Sequence, residues 1–302
     1  MIQTRRFPAD KLTLIAVVLS VLLLGQCQDG RSIPYPATIR PVSFLIERIA
    51  GSRMSEAMVH PGRNPETYDP SVADLMLYRN CRALFYVAPS LDGWAANFQE
   101  CPSHAIIPEA IRMHGHGSSE KEGHLHGSPA SQDDNSGEYV DPHFWTDPHR
   151  IEAVLPRLQE LLIAADPRSA ERIRSEVQIL KEQMQELEQE ASLRLKHLQG
   201  KRAVLMHPTY ESFLKEHGIQ VVAIVEPVPG HELSVKDWRN LLALKPVDIV
   251  VHEKQLPIRQ SRILARELEA RILELDPMGS GAGNLTELLR NQLDAIAELK
   301  VD

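Results

Sequence analysis

The segment 168–198 contains neither glycine nor proline, and this uninterrupted run constrains the fold more than any other feature of the sequence. Asp166 and Pro167 supply a cap and a proline suited to the first helical position, and Gly200 follows the run. We therefore predict a linking helix over 166–199, whose uninterrupted part, 168–198, is roughly 45 Å long. Its apolar residues recur at spacings of three, four and seven and form one stripe: Ile173, Val177, Leu180, Met184, Leu187, Ala191 and Leu198.

Such a stripe suits either a coiled-coil dimerisation arm or a strut packed within its own chain. Strand and helix patterns alternate on both sides of the linking helix, which favours βαβ units with parallel sheets. We favour the strut, because an α/β half flanks it on each side. The predicted fold class is α/β, with two lobes (33–165 and 200–302) that contain central, mostly parallel sheets and are joined by one long rigid helix. Strands are predicted at 33–39, 55–59, 83–87 and 104–107, and again at 203–206, 221–225, 248–252 and 271–275.

The N-terminus has the pattern of an export signal. Arg5, Arg6 and Lys11 precede an apolar run over 12–24, which is too short to span a bilayer as a helix but suits a signal-peptide core. We predict a signal peptide over 1–26 and a periplasmic or other extracytoplasmic location for the folded part.

The apolar run ends in Leu24-Gly25-Gln26-Cys27, which resembles a bacterial lipobox. Gln26 departs from that motif, which has a small residue at this position. A lipid anchor at Cys27, a conventionally secreted form and an uncleaved anchor therefore all stay open, and each places the folded part outside the cytoplasm.

Two further cysteines, Cys81 and Cys101, lie too far apart for a Cys-x-x-Cys metal motif. In an oxidising compartment they could form a disulfide. The alternative is a pair of small core residues.

The formal net charge of the chain is -8, and aromatic residues make up 5% of it. An acidic surface opposes nucleic-acid binding, because phosphates require a basic footprint. The same surface is compatible with a cationic ligand.

A second unusual segment, the His-rich loop 114–137, is dominated by Gly, Ser, Asp and Glu. It has too few apolar residues to form a core, so we predict a mobile loop. Its paired histidines suit weak metal capture, although a surface loop with incidental histidines is the alternative. The four histidines are His114, His116, His124 and His126.

Metal-type side chains also follow the predicted strands. Ligands of a parallel α/β sheet bind beyond the carboxyl ends of its strands. Imidazoles combined with carboxylates form a ligand set that fits zinc. The candidates come from both halves of the chain, so the metal is expected between the lobes. They are His60, Glu66, His143, His207 and Asp276.

These stretches resemble the zinc and manganese receptors of bacterial ABC importers, a family with two α/β lobes joined by a rigid helix. The resemblance runs in family order across nearly the whole chain beyond the signal segment. Five stretches carry it: Ala37-Thr-Ile-Arg-Pro41, Val59-His-Pro-Gly-Arg-Asn-Pro-Glu-Thr-Tyr-Asp-Pro70, Asp141-Pro-His-Phe-Trp-Thr-Asp-Pro148, His207-Pro-Thr-Tyr-Glu-Ser-Phe and Leu275-Asp-Pro-Met-Gly279.

The resemblance implies four metal-ligand positions. At the first, Glu66 stands where the family usually has His, and the nearby His60 is an alternative ligand. His143, His207 and Asp276 match the other three positions. A histidine at the third position resembles the zinc-type members, whereas manganese-type members tend to have Glu there.

The resemblance implies that the chain captures zinc outside the cytoplasm and delivers it to the permease of an ABC importer. The alternatives are a manganese receptor of the same family and a metal-binding surface adhesin lipoprotein. We do not expect an enzyme, because the sequence has no His-Glu-x-x-His motif, nucleophile elbow or Gly-rich phosphate loop. We expect a monomer.

Overall fold

The computed structural model describes residues 33–60, 62–108, 141–225 and 234–301. These residues fall in a single compact unit, Ile33–Asp302. The predicted signal peptide, Cys27 and the His-rich loop lie outside the described residues. The predicted lobe bounds, 33–165 and 200–302, stay a proposal.

The first half of the chain is built around a small parallel sheet. Strand β1 pairs in parallel with β2, and Ala37 adds isolated bridges to Ala57 and Phe85. The elements of this half are α1 (Arg40–Ala50), α2 (Val72–Leu77), β1 (Leu84–Tyr86), α3 (Pro89–Asp92), β2 (Ser103–Ala105) and α4 (Pro148–Ala165).

The strands predicted at 33–39 and 55–59 form only those isolated bridges. Pro34 and Pro36 alternate with the residues that do pair, and proline has no N–H group to donate to a ladder. The intervening backbone is nevertheless bonded, because Tyr35 donates to Met54 and Ala37 donates to Glu56. The segment 33–39 therefore makes backbone hydrogen bonds to its neighbours but does not form a regular strand.

The linking helix is α5 (Ala170–Arg194), with 3₁₀ turns before and after it at Pro167–Ser169 and Lys196–Leu198. Its predicted stripe is buried within the chain. The residues from Ile173 to Leu187 on that stripe belong to the core of the first half, and Ala191, Leu195 and Leu198 belong to a core of the second half. The α5 helix is thus a strut packed against both halves.

The second half contains a sheet of four parallel strands in the order β4-β3-β5-β6. Alternate residues of β3 point into two different cores, one on each face of the sheet. The elements are β3 (Arg202–Leu205), α6 (Glu211–Glu216), β4 (Gln220–Ile224), α7 (Val235–Leu242), β5 (Ile249–Glu253), α8 (Ile258–Leu268), β6 (Arg271–Leu275) and α9 (Leu285–Ala297). The predicted α/β fold with parallel sheets and a long central helix is confirmed.

One feature differs from the prediction of a single linking helix. The helix α9 also contributes to both halves: Leu285, Leu288 and Leu289 pack in the first core, and Leu293 and Ile296 pack in the second. Both α5 and α9 therefore bridge the halves, and the apolar stripe of α9 is buried where the halves meet.

Cys81 and Cys101 form a disulfide, with their Cα atoms 5.6 Å apart. The bond ties the segment before β1 to the segment before β2, which lie side by side in the small sheet. Among the helices of the described ranges, none has both the length and the apolar character that a membrane span requires.

Candidate metal centre

Three of the predicted side chains converge at the carboxyl edge of the strands. The Nε2 atom of His207 lies 3.1 Å from Oε1 of Glu66, and Nε2 of His143 lies 3.3 Å from the same oxygen. Their donor atoms all lie within 4.8 Å of one another. His143 and His207 are buried, with 3% and 8% of their surface exposed. These residues offer a ready-made set of three ligands for one ion.

Each of the three residues is held by local backbone structure. Glu66 lies in the 3₁₀ turn Pro65–Thr67. Asn64 caps the start of this turn, because its side chain accepts a hydrogen bond from the Glu66 amide. His143 directly precedes the 3₁₀ turn Phe144–Thr146. His207 is extended and follows β3 before the 3₁₀ turn Pro208–Tyr210. The first two come from one half of the chain and His207 comes from the other.

The ring of His143 is oriented by Asp141. Its Nδ1 atom lies 2.8 Å from Oδ1 of Asp141, and the same oxygen accepts the His143 amide at 3.0 Å. Arg150 in turn bonds both the other carboxylate oxygen and the carbonyl of Asp141. Because Nδ1 is engaged, Nε2 is the nitrogen that faces Glu66. Asp141 belongs to one of the motifs that carry the family resemblance, but its role in orienting His143 follows only from the structure.

The charges of these groups are strongly coupled. Burial opposes the ionisation of Glu66, but its hydrogen bonds with His143 and His207 outweigh burial and lower its pKa to about 2. Burial likewise opposes the protonation of His143, but bonds with Asp141 and Glu66 raise its pKa to about 9. For His207, the bond with Glu66 and the charge of Glu253 overcome burial and raise its pKa. Both raised pKa values favour protonated imidazoles in the metal-free centre, so protons compete with a cation for these nitrogens.

The structure does not bring the other two candidates into this group. His60 is solvent-exposed, and its carbonyl accepts a hydrogen bond from the amide of Arg63. Asp276 follows β6, but its carboxylate accepts hydrogen bonds from Nε2 of Gln255 at 2.9 Å and from the amide of Ser280 at 2.8 Å. Of the two alternatives for the first position, Glu66 is the one that lies beside His143 and His207.

A further carboxylate, which is not among the residues predicted from the sequence, faces the same cavity. Glu253 is the last residue of β5 and is 5% exposed. It lines a cavity of about 20 Å³ together with Glu66, His143 and His207, which is room for about one water-sized species. Burial raises the pKa of Glu253. Glu253 lies at the carboxyl end of a strand, which is the same pattern that identifies His207 in the sequence. That pattern could therefore have predicted Glu253 as well.

A family described as "ZnuA: Zinc-uptake complex component A periplasmic" matches residues 36–299. A putative metal-binding protein of Thermotoga maritima is 23% identical over 290 residues, covering 93% of this chain and 97% of that protein. The high-affinity zinc uptake system protein ZnuA of Yersinia pestis is 24% identical and covers 88% of this chain and 89% of that protein.

The zinc-binding protein AdcA of Streptococcus pyogenes is 20% identical, and the chain spans 56% of its length. Solved structures of similar fold include the following two. A crystal structure of ZnuA has a TM-score of 0.69 at 18% identity and covers 88% of this chain and 98% of that chain. The laminin-binding adhesin Lmb of Streptococcus agalactiae has a TM-score of 0.70 at 17% identity and covers 88% of this chain and 99% of that one.

Proposed function

This chain belongs to the ZnuA family of zinc-uptake components, and on that basis we propose that it captures Zn²⁺ outside the cytoplasm and delivers it to the membrane permease of an ABC importer. The observation that carries the proposal is the convergence of Glu66, His143 and His207 in one buried cavity. The family is one of metal-binding transport receptors and not a class of enzymes.

The ligand chemistry supports zinc over manganese. Two imidazoles and one carboxylate form a borderline-hard set, whereas manganese prefers oxygen ligands. The second oxygen of Glu66, Oε2, is buried without a hydrogen-bond partner. A buried carboxylate oxygen without a donor is costly, and a bound cation would remove that cost.

Capture and release both follow from the position of the site between the two halves. Glu66 and His143 belong to the first half of the chain and His207 to the second. A small relative displacement of the halves at the permease would separate His207 from Glu66 and weaken the site. Asp276 stays the predicted fourth ligand, and to bind the ion it would have to give up bonds from Gln255 and Ser280.

The proposal extends to the parts of the chain outside the described residues. The signal peptide 1–26 exports the chain, and Cys27 is its proposed point of lipid attachment. The segment 114–137 gathers zinc weakly through His114, His116, His124 and His126, because fixing several side chains around an ion costs conformational entropy. Deleting the loop should remove weak zinc equivalents and leave one tight site. Loss of the tight site would show that a ligand lies in the loop.

A competition titration tests the assignment of the metal. The purified chain, stripped of metal, is titrated with Zn²⁺ and with Mn²⁺ against a chelator of known affinity. We expect one tight zinc equivalent, weaker manganese binding, and loss of the tight site in His143→Ala. Manganese that outcompetes zinc at equal free concentration would assign the protein to the manganese receptors. Absence of a tight site for either ion would refute the receptor function.

A further inference from the structure

A second group of histidines and carboxylates lies outside the metal centre, where α4, α5 and α6 meet. His217 directly follows α6 and is 5% exposed, and its Nε2 atom has no hydrogen-bond partner. That nitrogen lies 3.6 Å from Oε1 of Glu188 on α5, which is too far for a hydrogen bond. The other oxygen of Glu188, Oε2, is also buried without a partner. An imidazole and a carboxylate therefore face each other with ligand atoms that nothing uses.

A second pair of the same kind is nearer the solvent. Glu216 is the last residue of α6, and its Oε1 atom lies 3.0 Å from Nδ1 of His149 at the start of α4. Both of these side chains are partly exposed. The two pairs interact, because burial and then the charge of Glu216 raise the pKa of Glu188 to about 7. An ion could therefore enter past the outer pair and reach the inner one.

The carboxylate of Asp147 adds negative charge to this group. It caps α4 by accepting amide hydrogen bonds, and its Oδ2 atom accepts the hydroxyl of Ser212 at 3.1 Å. After burial, its charge also helps to raise the pKa of both Glu188 and Glu216. Three carboxylates on three different elements thus repel one another when they are ionised, and a bound cation would remove that repulsion.

We propose that this group is a second zinc site, with four ligands: His149, Glu188, Glu216 and His217. Two imidazoles and two carboxylates fit Zn²⁺, and the two carboxylates balance its charge. Among the described residues, the metal centre is the group whose ligand atoms already lie within 4.8 Å of one another, so an ion must draw the two pairs together here. Ordering these side chains costs entropy, and the site is therefore weaker than the metal centre.

An ion in this site would join the two halves of the chain. It would bind α4 and α5 to α6. The first of these helices follows the turn that begins after His143, and α6 follows the turn after His207. A second ion would therefore hold together the two segments that lead away from the metal centre. The site goes beyond the proposed function, because it fills only when zinc is plentiful and stabilises the folded chain to which it binds.

Two variants and two matched controls test the second site. Glu188→Gln keeps the shape of the side chain and removes its charge, and Glu186→Gln makes the same change at an exposed position of the same helix. His149→Ala removes an exposed ligand, and His197→Ala removes another exposed histidine. The unfolding temperature of each metal-free variant reports whether it folds.

Equilibrium dialysis of the full chain counts bound zinc at a free concentration that also fills weak sites. We expect Glu188→Gln and His149→Ala each to bind one zinc equivalent fewer than the wild type, and both controls to bind as many as the wild type. Zinc held by the segment 114–137 is common to all variants and cancels from the comparison. In NMR spectra, the imidazole signals of His217 should shift as zinc is added beyond the first equivalent, and this shift should be absent in Glu188→Gln.

Equal zinc counts in the wild type and Glu188→Gln, or His217 signals that do not respond to zinc, would overturn the second site. Loss of an equivalent in Glu186→Gln would also overturn it, because diffuse binding by surface carboxylates would then explain the counts. If Glu188→Gln does not fold, His149→Ala must show the loss by itself.

The second site and the proposed function can fail separately. The tight zinc equivalent should persist in Glu188→Gln, so absence of the second site would leave the proposed function intact. A wild type without a tight equivalent would refute the proposed function, and the second site would still be judged by the same difference in zinc count.

Discussion

The indole nitrogen of Trp145 donates a 3.0 Å hydrogen bond to the carbonyl oxygen of Pro277. This bond connects the segment that carries His143 with the turn that follows β6. A second bond runs beside it, from the hydroxyl of Thr146 to the carbonyl of Thr209 at 2.7 Å. Both bonds are buried and join the first half of the chain to the second. The halves are thus fastened directly beside the metal centre as well as through α5 and α9.

Zinc binding should therefore cause a small local closure and no wide hinge motion, because two bridging helices and two buried hydrogen bonds limit how far the halves can separate. Small-angle scattering of the metal-free and zinc-loaded protein measures this. We expect nearly equal radii of gyration, with His143→Ala as the control that does not respond to zinc. A large compaction on zinc binding would mean that α5 acts as a hinge.

Replacing Glu66 should weaken zinc binding far more than replacing His60. Glu66→Ala removes the oxygen that lies within 3.3 Å of both imidazoles, and we expect more than about a 100-fold loss of affinity, beyond the range for groups outside the ligand set. His60→Ala changes an exposed residue outside the group and should alter the affinity by less than about 3-fold. Calorimetric titration compares the two, and the reverse ranking would make His60 the ligand.

Asp141→Asn should weaken zinc binding through His143. The Asp141 carboxylate lies 2.8 Å from Nδ1 of the His143 ring and makes Nε2 a more basic metal ligand. Removing the carboxylate should therefore lower zinc affinity by roughly 10–100-fold. The metal-free variant should still fold, which circular dichroism can establish. Wild-type affinity in Asp141→Asn would show that packing against Trp145, 5.2 Å away between ring centroids, is enough to orient His143.

Zinc affinity should fall as pH is lowered, starting well above the ordinary pKa of histidine. In the metal-free protein the pKa of His143 is raised to about 9, and that of His207 is also raised. Both imidazoles must lose protons to bind zinc, so affinity falls as pH decreases through about 9, by roughly tenfold per pH unit for each proton displaced. The pKa of Glu66, about 2, keeps its carboxylate ionised throughout.

Titrations between about pH 6 and pH 9 check this window, and calorimetry in buffers of different ionisation enthalpy counts the protons released. An affinity that stays constant over that range would argue against ligation by His143 and His207. A fall that begins only below the ordinary histidine value, about 6.5, would mean that Asp141 and Glu66 do not hold protons on the imidazoles in solution.

Glu188→Gln should stabilise the protein at alkaline pH. Burial, followed by the charges of Glu216 and Asp147, raises the pKa of Glu188 from 4.5 to about 7. The folded protein holds this proton to higher pH than the unfolded chain does, so the stability falls as pH rises from about 4.5 to about 7, and the full penalty is present above that range. Glutamine removes that penalty.

Thermal unfolding at about pH 8 and about pH 5 tests this linkage. Glu188→Gln should unfold at a higher temperature than the wild type at the alkaline pH, and the difference should shrink at the acidic pH. The exposed Glu186 on the same helix provides the control variant Glu186→Gln. An equal gain at both pH values would attribute the effect to packing beside His217, whose Nε2 atom lies 3.6 Å from Glu188.

The sequence was sufficient for the features that depend on periodicity. The stripe from Ile173 onward predicted the buried face of α5, and the apolar runs of the second half predicted all of its strands. The sequence was insufficient to predict the segment that contains Pro34 and Pro36. Proline interrupts the hydrogen bonds between strands, and whether the remaining residues pair depends on which backbone groups face a neighbouring strand.

The metal centre shows a similar division. His207 and Asp276 each follow a strand, so the sequence predicts both as metal ligands. The direction in which each side chain points depends on neighbours in space, which the sequence does not show. Gln255 and the Ser280 amide bind Asp276, and no sequence pattern announces those bonds. Glu253 also ends a strand, so its place at this edge of the sheet follows from the same pattern.

The helix α9 has a consequence for the order in which this protein can fold. Leu285, Leu288 and Leu289 complete a core whose other members lie between Tyr35 and Leu187, with Met278 and Ala282 beside them. A nascent chain makes those other members first, so the apolar surface of its first half stays open until α9 has been synthesised. We therefore expect the first half to complete its core only once α9 is available, and the site at the junction of the halves to form after that.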